Sequence, residues 1–154
     1  MKFSFCKILT TLIFLVLSAG FSFAQSVREK GIELYRQGNY SEAIQALTLA
    51  AKDKALKTDG EVWNYLGLAY LNQDKPKDGR KALEKAVRYN PQSSIYRSNL
   101  AYAYLLTRKT NKAQSEVARA IQLDPKNANA FYIRGITNLW EGKYEPAVAD
   151  ADQA

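Results

Sequence analysis

Carboxylates are the main candidates for chemistry in this sequence, because the other common catalytic residue types are nearly absent. The chain contains no histidine, and its single cysteine is Cys6. Ser–His and Cys–His nucleophile pairs are therefore excluded, and so are the usual Cys/His zinc sites.

The acidic residues do not form a recognisable catalytic pair. Glycoside chemistry needs two carboxyl groups that face each other across a cleft at a defined separation. Glu84, Glu116 and Asp150 fall instead on expected helix exteriors. Asp150 and Asp152 are two residues apart, so they do not share a helix face. We predict no catalytic, cofactor-binding or metal-binding residue, and hence a protein that is not an enzyme.

The chain repeats with a period of 34 residues. The pattern W-x2-L-G-x2-Y begins at Trp63, and its equivalent begins 34 residues later at Arg97. Repetition with such a period indicates stacked supersecondary units. Four units fit the sequence, at about residues 24–59, 60–93, 94–127 and 128–154.

Three positions in every unit hold only alanine or glycine. These residues are Gly31, Ala43 and Ala50; Gly67, Gly79 and Ala86; Ala101, Ala113 and Ala120; Gly135, Ala147 and Ala154. Antiparallel helices approach closely only where side chains are short. Apolar residues spaced by three and four, as at Leu100, Ala103 and Tyr104, also indicate helices rather than strands. Each unit is therefore predicted to be a helical hairpin.

These motifs resemble those of the tetratricopeptide repeat family. The resemblance covers residues 25–154 and rests on Trp63, Leu66, Gly67, Tyr70, Gly79, Leu83, Ala86 and Pro91, then on Leu100, Ala101, Tyr104, Ala113, Val117, Ala120 and Pro125. It implies an all-α, right-handed superhelical solenoid of antiparallel helix pairs, with about four repeats, the last one incomplete. Lys30, Arg134 and Asn138 depart from the pattern, because leucine, leucine and tyrosine are commonest at those positions.

The resemblance also implies a concave groove lined by the first helix of each unit. The groove residues carried over from the family are Asn64, Leu68, Leu71, Ser98, Asn99, Tyr102, Leu105, Tyr132, Ile136 and Leu139, preceded in the first unit by Arg28, Ile32 and Tyr35. A peptide or helix of a partner protein could place apolar side chains there, with Asn64, Ser98 and Asn99 supplying hydrogen bonds. The alternative is that some of these side chains are buried, or covered by another helix.

One family function is disfavoured by the groove residues. Members that bind the acidic carboxyl terminus of cytosolic chaperones use lysine, arginine and asparagine side chains in the groove. Arg28 and Asn99 fall at matching positions, but Ile32, Tyr65 and Ile95 replace the remainder. The resemblance therefore does not imply a cytosolic co-chaperone.

Seven basic residues surround two of the predicted turns and define a basic ridge. They are Lys75, Lys77, Arg80, Lys81, Arg108, Lys109 and Lys112. Positive charge in the first turn of a helix opposes the macrodipole, so helix stability does not explain Arg80 and Lys81. The ridge could meet an anionic surface, although an ordinary solvated edge is the favoured interpretation. No nucleic-acid partner is expected, because the excess of positive charge is modest.

The first 24 residues have the pattern of a secretory signal peptide. Lys2 and Lys7 precede the apolar run Ile8–Ala19, and small residues precede a cleavage site between Ala24 and Gln25. The predicted organisation is a signal peptide at 1–24 and a repeat domain at 25–154, exported by a bacterium to the periplasm or cell envelope, or secreted. An uncleaved leader that anchors the chain in a membrane is the alternative.

Together these features predict a protein-interaction scaffold or adaptor of the cell envelope that binds a peptide or helix in its groove. The alternative is a recruiting module of a longer enzyme or membrane transducer, whose chemistry lies beyond residue 154. The fourth unit stops at Ala154, partway through its second helix. Because solenoids need covered ends, self-association through this C-terminal repeat is a further expectation.

Overall fold

The computed structural model describes residues 23–154, whose regular secondary structure is entirely helical. Residues 23–36 form α1. The helices that follow are α2 (Tyr40–Ala50), α3 (Gly60–Asn72), α4 (Pro76–Tyr89), α5 (Ser94–Leu106), α6 (Thr110–Leu123), α7 (Ala128–Trp140) and α8 (Tyr144–Ala151).

Consecutive helices form antiparallel pairs that stack on one another. The most extensive contacts lie within the pairs α3/α4, α5/α6 and α7/α8, and each pair then contacts the next through α2/α3, α4/α5 and α6/α7. The first helices α3, α5 and α7 also contact one another in turn, whereas the second helices of the described residues do not. The stack therefore curves with the first helices on its inner side. The prediction of an all-α superhelical solenoid is confirmed.

The same turn closes the first helix of every pair. Gly38, Asp74, Arg108 and Gly142 occupy equivalent positions and all adopt the left-handed conformation, with φ of 79°, 53°, 56° and 74°. In the second pair, the N–H of Asp74 donates to the carbonyl of Leu71 and that of Lys75 to the carbonyl of Tyr70, at 3.1 and 2.9 Å. These are the two hydrogen bonds of a Schellman motif, which satisfies carbonyls at the helix end.

The helix starts also follow a regular scheme. Asp59, Ser93 and Asn127 each accept a backbone N–H with the side chain, at the starts of α3, α5 and α7. These caps satisfy amide groups that have no partner within the helix. The second helix α4 begins instead with Pro76, where the missing N–H of proline costs little.

The small residues lie where the paired helices cross. Eleven of the twelve predicted positions are buried, and Ala154 is exposed. A Cβ built on Gly67 would lie 2.5 Å from Leu83 Cγ, and one built on Gly79 would lie 2.5 Å from Leu71 Cδ2. Real Cβ atoms do not approach other atoms so closely. The glycine backbone of each helix therefore packs directly against a leucine side chain of the other helix at this crossing.

The connection between the first two pairs is longer than the others. Residues 51–59 form successive turns, in which Leu56 is buried. The indole N–H of Trp63 donates to the carbonyl of Lys57 at 2.8 Å. This bond holds the connection against the start of the second unit.

The predicted leader lies almost wholly outside the described residues, so the basic residues Lys2 and Lys7, the run Ile8–Ala19 and Cys6 have no structural account. Ala24 and Gln25 lie in α1, where Ala24 is buried in the first core cluster. Cleavage between these two residues stays a prediction. Among residues 23–154, no helix has the length and apolar character needed to cross a membrane.

Candidate functional site

The inner side of the solenoid carries a row of exposed apolar side chains. Tyr102, Tyr132 and Leu139 are predicted groove residues, and they are 38%, 56% and 51% exposed. Ile95, at the start of α5, is exposed to a similar extent. We call Ile95, Tyr102, Tyr132 and Leu139 the inner apolar row. Ile95 is absent from the predicted groove residues and was named only as a replaced position of the carboxylate-binding groove. Its equivalents on the other first helices are Glu61 and Asn129.

Four other groove residues predicted in the second to fourth units are half-buried, as are Arg28 and Tyr35 of the first unit. The four are Leu68, Leu71, Asn99 and Ile136. Leu71 and Ile136 pack against the second core cluster. These side chains form the floor beneath the inner apolar row rather than its exposed surface.

Four predicted groove residues need correction, because the structure buries them. Ile32, Asn64, Ser98 and Leu105 are at most 5% exposed. Leu105 belongs to the second core cluster. Ser98 accepts a hydrogen bond from Asn129 of the next first helix. Side chains at these positions point at the neighbouring pair, so they hold the stack together and do not present a surface to a partner.

An amide ladder runs across the inner side. Asn99 Nδ2 donates to Asn64 Oδ1 at 2.9 Å, and Asn129 Nδ2 donates to Asn99 Oδ1 at 3.3 Å. The ladder joins α3, α5 and α7 and satisfies polar groups with one another. The predicted role of Asn64, Ser98 and Asn99 as donors to a partner is thereby restricted, since much of their hydrogen-bonding capacity is used internally. Asn129 was missed because its side chain gains a role only when the helices stack.

Arg28 is also engaged within the chain. Its guanidinium pairs with the carboxylate of Asp59 at 2.8 Å and with that of Glu61. Arg28 and Asn99 were the two residues that matched a carboxylate-binding groove. Both have partners in their own chain, so neither offers a free charge or amide to a peptide terminus.

The basic ridge is exposed except at Arg80. Arg80 Nη1 lies 2.5 Å from Glu84 Oε1, and Lys81 Nζ lies 3.7 Å from Asp78 Oδ1. These pairs have i,i+4 and i,i+3 spacing, which stabilises a helix. The expectation that helix stability does not explain Arg80 and Lys81 is therefore corrected. The other ridge residues Lys75, Lys77, Arg108, Lys109 and Lys112 are exposed.

The carboxylate of Glu84 links this ridge to the core. It accepts the hydroxyl of Tyr104 at 3.1 Å. Burial, followed by the nearby negative charge of Glu84, raises the pKa of Tyr104 to about 12. Both causes disfavour the phenolate, so Tyr104 acts as a neutral hydrogen-bond donor and not as an acid.

The fourth pair contains a buried carboxylate. Asp150 is 3% exposed and accepts hydrogen bonds from Arg134 and from Asn138. Arg134 and Asn138 are two of the three residues that depart from the repeat pattern, at the positions of Leu66 and Tyr70. Their polar side chains are compensated by Asp150, which explains how the pair tolerates them.

The outer face of the fourth pair exposes large apolar residues. Trp140, Tyr144 and Val148 are between 59% and 70% exposed. Self-association through this repeat stays a prediction. Within residues 23–154, no cluster of three or more acidic, cysteine or histidine residues could hold a metal ion.

Comparison with known families agrees with this arrangement of helix pairs. Models described as tetratricopeptide repeat match residues 28–76, 60–93 and 96–127, which together are more than half of the chain. The chain belongs to the tetratricopeptide repeat family. The prediction of the family is confirmed, and the alignment places the matched segments on α1 to α6.

Curated relatives share only their repeats with this tetratricopeptide repeat chain. Serine/threonine-protein phosphatase 5 from Homo sapiens is 35% identical over 79 residues, which are 49% of this chain and 16% of the phosphatase. The chain therefore spans a small part of the relatives it matches.

Solved tetratricopeptide repeat structures share the fold. The structure of YrrB, described as a TPR protein with an unusual peptide-binding site, has a TM-score of 0.72 and 23% identity, covering 84% of this chain and 66% of YrrB. The first TPR of Spaghetti (RPAP3), bound to the HSP90 peptide SRMEEVD, has a TM-score of 0.70 and 24% identity, covering 77% of this chain and 93% of that one. At such identities the likeness shows the fold alone.

Proposed function

We propose that this protein is a non-enzymatic scaffold that binds a peptide or helix of a partner protein along its inner side. The observation that carries the proposal is the inner apolar row, in which Ile95, Tyr102, Tyr132 and Leu139 are exposed on the two consecutive first helices α5 and α7. Contiguous exposed apolar surface usually marks an interface. A segment with apolar side chains at regular spacing would match this row.

The partner segment is proposed to bind through apolar side chains rather than through a terminal carboxylate. YrrB and the first TPR of Spaghetti (RPAP3) are both described with peptides, which supports a protein ligand. In this chain, however, Arg28 already pairs with Asp59 and Glu61. An acidic peptide terminus would have to displace these carboxylates, so it is not the favoured ligand for the inner side.

We further propose that the scaffold works in the cell envelope of a bacterium. The support is the pattern of residues 1–24, in which Lys2 and Lys7 precede an apolar run and small residues precede Gln25. The intact mass of the protein from its own cells tests this part. A mature chain that begins at Gln25 supports export, whereas a chain that retains Met1 in the cytosol overturns it.

A second candidate is a recruiting module within a longer protein. The specific observation is that phosphatase 5 matches this chain over only 16% of its own length. The same mass measurement separates the candidates, because a mass well above that of residues 25–154 would indicate a further domain. The chemistry of such a protein would lie outside the repeats.

Photo-crosslinking tests the binding surface directly. A photoreactive residue placed at Tyr102 in the native host should capture a specific partner peptide, identified by mass spectrometry. Tyr132→Glu should abolish that capture, because it places a charge in the inner apolar row. Leu49→Glu is the matched control, since Leu49 is 52% exposed on α2, away from this row. Capture that survives Tyr132→Glu, or is lost equally with Leu49→Glu, would exclude the inner side.

A further inference from the structure

A cavity lies on the outer side of the solenoid, away from the inner apolar row. It occupies the crevice between α2 and α4 and has a volume of about 280 Å³. Leu66 and Ala82 form its buried floor, and the rings of Trp63 and Tyr70 form its wall. We call this cavity the first outer crevice. The floor and wall of the first outer crevice are apolar and aromatic.

The rim of the first outer crevice is positively charged. Lys52, Lys81 and Lys85 line it, together with a single acid, Asp78. Lys81 pairs with Asp78 at 3.7 Å. Lys85 Nζ lies 3.8 Å from the centre of the Trp63 ring. Within residues 23–154, no carboxylate lies within 4.0 Å of the ammonium group of Lys52 or Lys85.

The equivalent positions in the third and fourth pairs carry acids. Ala82 corresponds to Glu116 in the third unit and to Asp150 in the fourth. Glu116 pairs with Arg97 at 2.6 Å, and Asp150 pairs with Arg134 at 2.5 Å. The arginines that they neutralise stand at the positions of Trp63 and Leu66, so the first junction has an apolar contact where the later ones have an ion pair.

A second acid is missing at the same junction. Thr48 of α2 corresponds to Glu84 of α4, which pairs with Arg80 and accepts the hydroxyl of Tyr104. Thr48 cannot neutralise a lysine. The first outer crevice thus has basic side chains at its rim and lacks the two carboxylates that its counterpart possesses.

We propose that the first outer crevice binds an acidic peptide segment of a partner protein, with an apolar side chain inserted against Trp63, Leu66 and Ala82. The partner's carboxylates would lie between Lys52 and Lys85, which have no carboxylate of the described residues beside them. An apolar anchor flanked by charge-assisted contacts suits a cavity with an apolar floor and a basic rim. This site is on the opposite face from the inner apolar row, so the scaffold can hold two segments at once.

Tryptophan fluorescence provides a direct test. The chain has two tryptophans, so Trp140→Phe leaves Trp63 in the crevice as the only reporter. The acetylated and amidated peptide EDLED should change the emission of Trp63 in a saturable manner. The isosteric amide peptide QNLQN should bind about tenfold more weakly or worse, and about 0.5 M salt should weaken EDLED similarly, because the contacts are electrostatic.

Substitutions locate the site. Ala82→Glu supplies the acid found at Glu116, and it should weaken EDLED binding by about tenfold or more, since the rim is then neutralised internally. The double variant with Lys52→Gln and Lys85→Gln should have the same effect. It provides the test of the site if circular dichroism shows that Ala82→Glu unfolds at a lower temperature than the wild type. Lys109→Gln with Lys112→Gln is the control, because it also removes two positive charges, both from the basic ridge.

The outcomes distinguish this site from the inner side. Retained binding by the Lys52→Gln/Lys85→Gln protein, or an equal loss with the Lys109→Gln/Lys112→Gln protein, would overturn the proposal. Tyr132→Glu should leave the EDLED titration unchanged. If Tyr132→Glu abolishes it, the peptide binds to the inner side instead, and the first outer crevice is not its site.

Discussion

Arg134 and Asp150 form an ion pair at the crossing of α7 and α8, where the second unit has Leu66 and Ala82. Arg134 donates from Nε and Nη2 to Asp150 Oδ1, at 2.9 and 2.5 Å. Asp150 is 3% exposed, so its charge depends on these donors and on Asn138. A polar network thus replaces an apolar contact inside an otherwise regular repeat.

Removing one partner of this network should destabilise the protein. Arg134→Leu leaves the buried Asp150 with Asn138 alone, and we expect a loss of about 2 kcal/mol in the free energy of unfolding. This value is discounted because Arg134 is itself 42% exposed. Urea denaturation at neutral pH measures the change.

The matched control restores the residues of the second unit. A triple variant with Arg134→Leu, Asn138→Tyr and Asp150→Ala should be at least as stable as the wild type, because apolar replacement of a whole buried network is often neutral or favourable. A triple variant as unstable as Arg134→Leu would contradict this account.

The two glycines Gly67 and Gly135 occupy equivalent positions but should respond to alanine in opposite ways. A Cβ on Gly67 would lie 2.5 Å from Leu83 Cγ and 3.0 Å from the carbonyl oxygen of Gly79. We expect Gly67→Ala to cost about 1 to 2 kcal/mol through overpacking. The nearest atom to a Cβ on Gly135 is 3.4 Å away, at Asp150 Cβ. Gly135→Ala should therefore gain up to about 1 kcal/mol from helix propensity. Thermal melts of the two variants that shift in the same direction would contradict the prediction.

The turn at Arg108 should be improved by glycine. Arg108 has a φ of 56°, a left-handed conformation that costs an L-residue about 1 kcal/mol. Glycine is present at the equivalent positions 38 and 142. Arg108→Gly should raise the free energy of unfolding by about 0.5 to 1 kcal/mol. Lys109→Gly is the neighbouring control, and because Lys109 has a φ of −107°, it should bring no gain. Equal effects at the two positions would count against the explanation.

Alkaline pH should destabilise the fold through Tyr104. Below pH 10 the phenol is protonated in both the folded and the unfolded chain. Between pH 10 and about 12 the unfolded chain loses this proton, while the folded chain retains it because its pKa is raised. Unfolding then releases a proton, so the free energy of unfolding falls as pH rises.

Tyr104→Phe isolates this effect. The variant loses the hydrogen bond to Glu84 at every pH, but its urea midpoint should fall less than that of the wild type between pH 9 and pH 11. The pKa values of Tyr35 and Tyr96 are also raised by burial, and they contribute a background that both proteins share. Parallel pH profiles for the two proteins would rule out a role for Tyr104.

Most of the fold is predictable from the chain, because helical repeats depend on local periodicity. The period of 34 residues, the small residues at the crossings and the turn signals identify the helix pairs without reference to distant contacts. The family assignment follows from residues such as Gly67 and Gly79, which pack within their own unit. These interactions join residues that are near in sequence, so the sequence of each unit specifies the fold of that unit.

The candidate surfaces are less predictable, since they depend on how one unit meets the next. Tyr102 and Leu105 lie on the same helix and were predicted to share the groove, yet one is exposed and the other is buried. The stacking angle between neighbouring pairs decides between them. The same is true of Glu84, which accepts the hydroxyl of Tyr104 only when the third unit stacks on the second.

The residue pattern of this chain is sufficient to specify helix pairs, their order and their closest crossings, because those features follow from side-chain size and spacing within one unit. The exposed row at Tyr102 and Tyr132, the amide ladder through Asn99 and the lysine-rimmed crevice beside Trp63 arise only when the units are stacked. Burial, pairing of charge and open space are properties of two surfaces in contact, and no single stretch of sequence contains both surfaces.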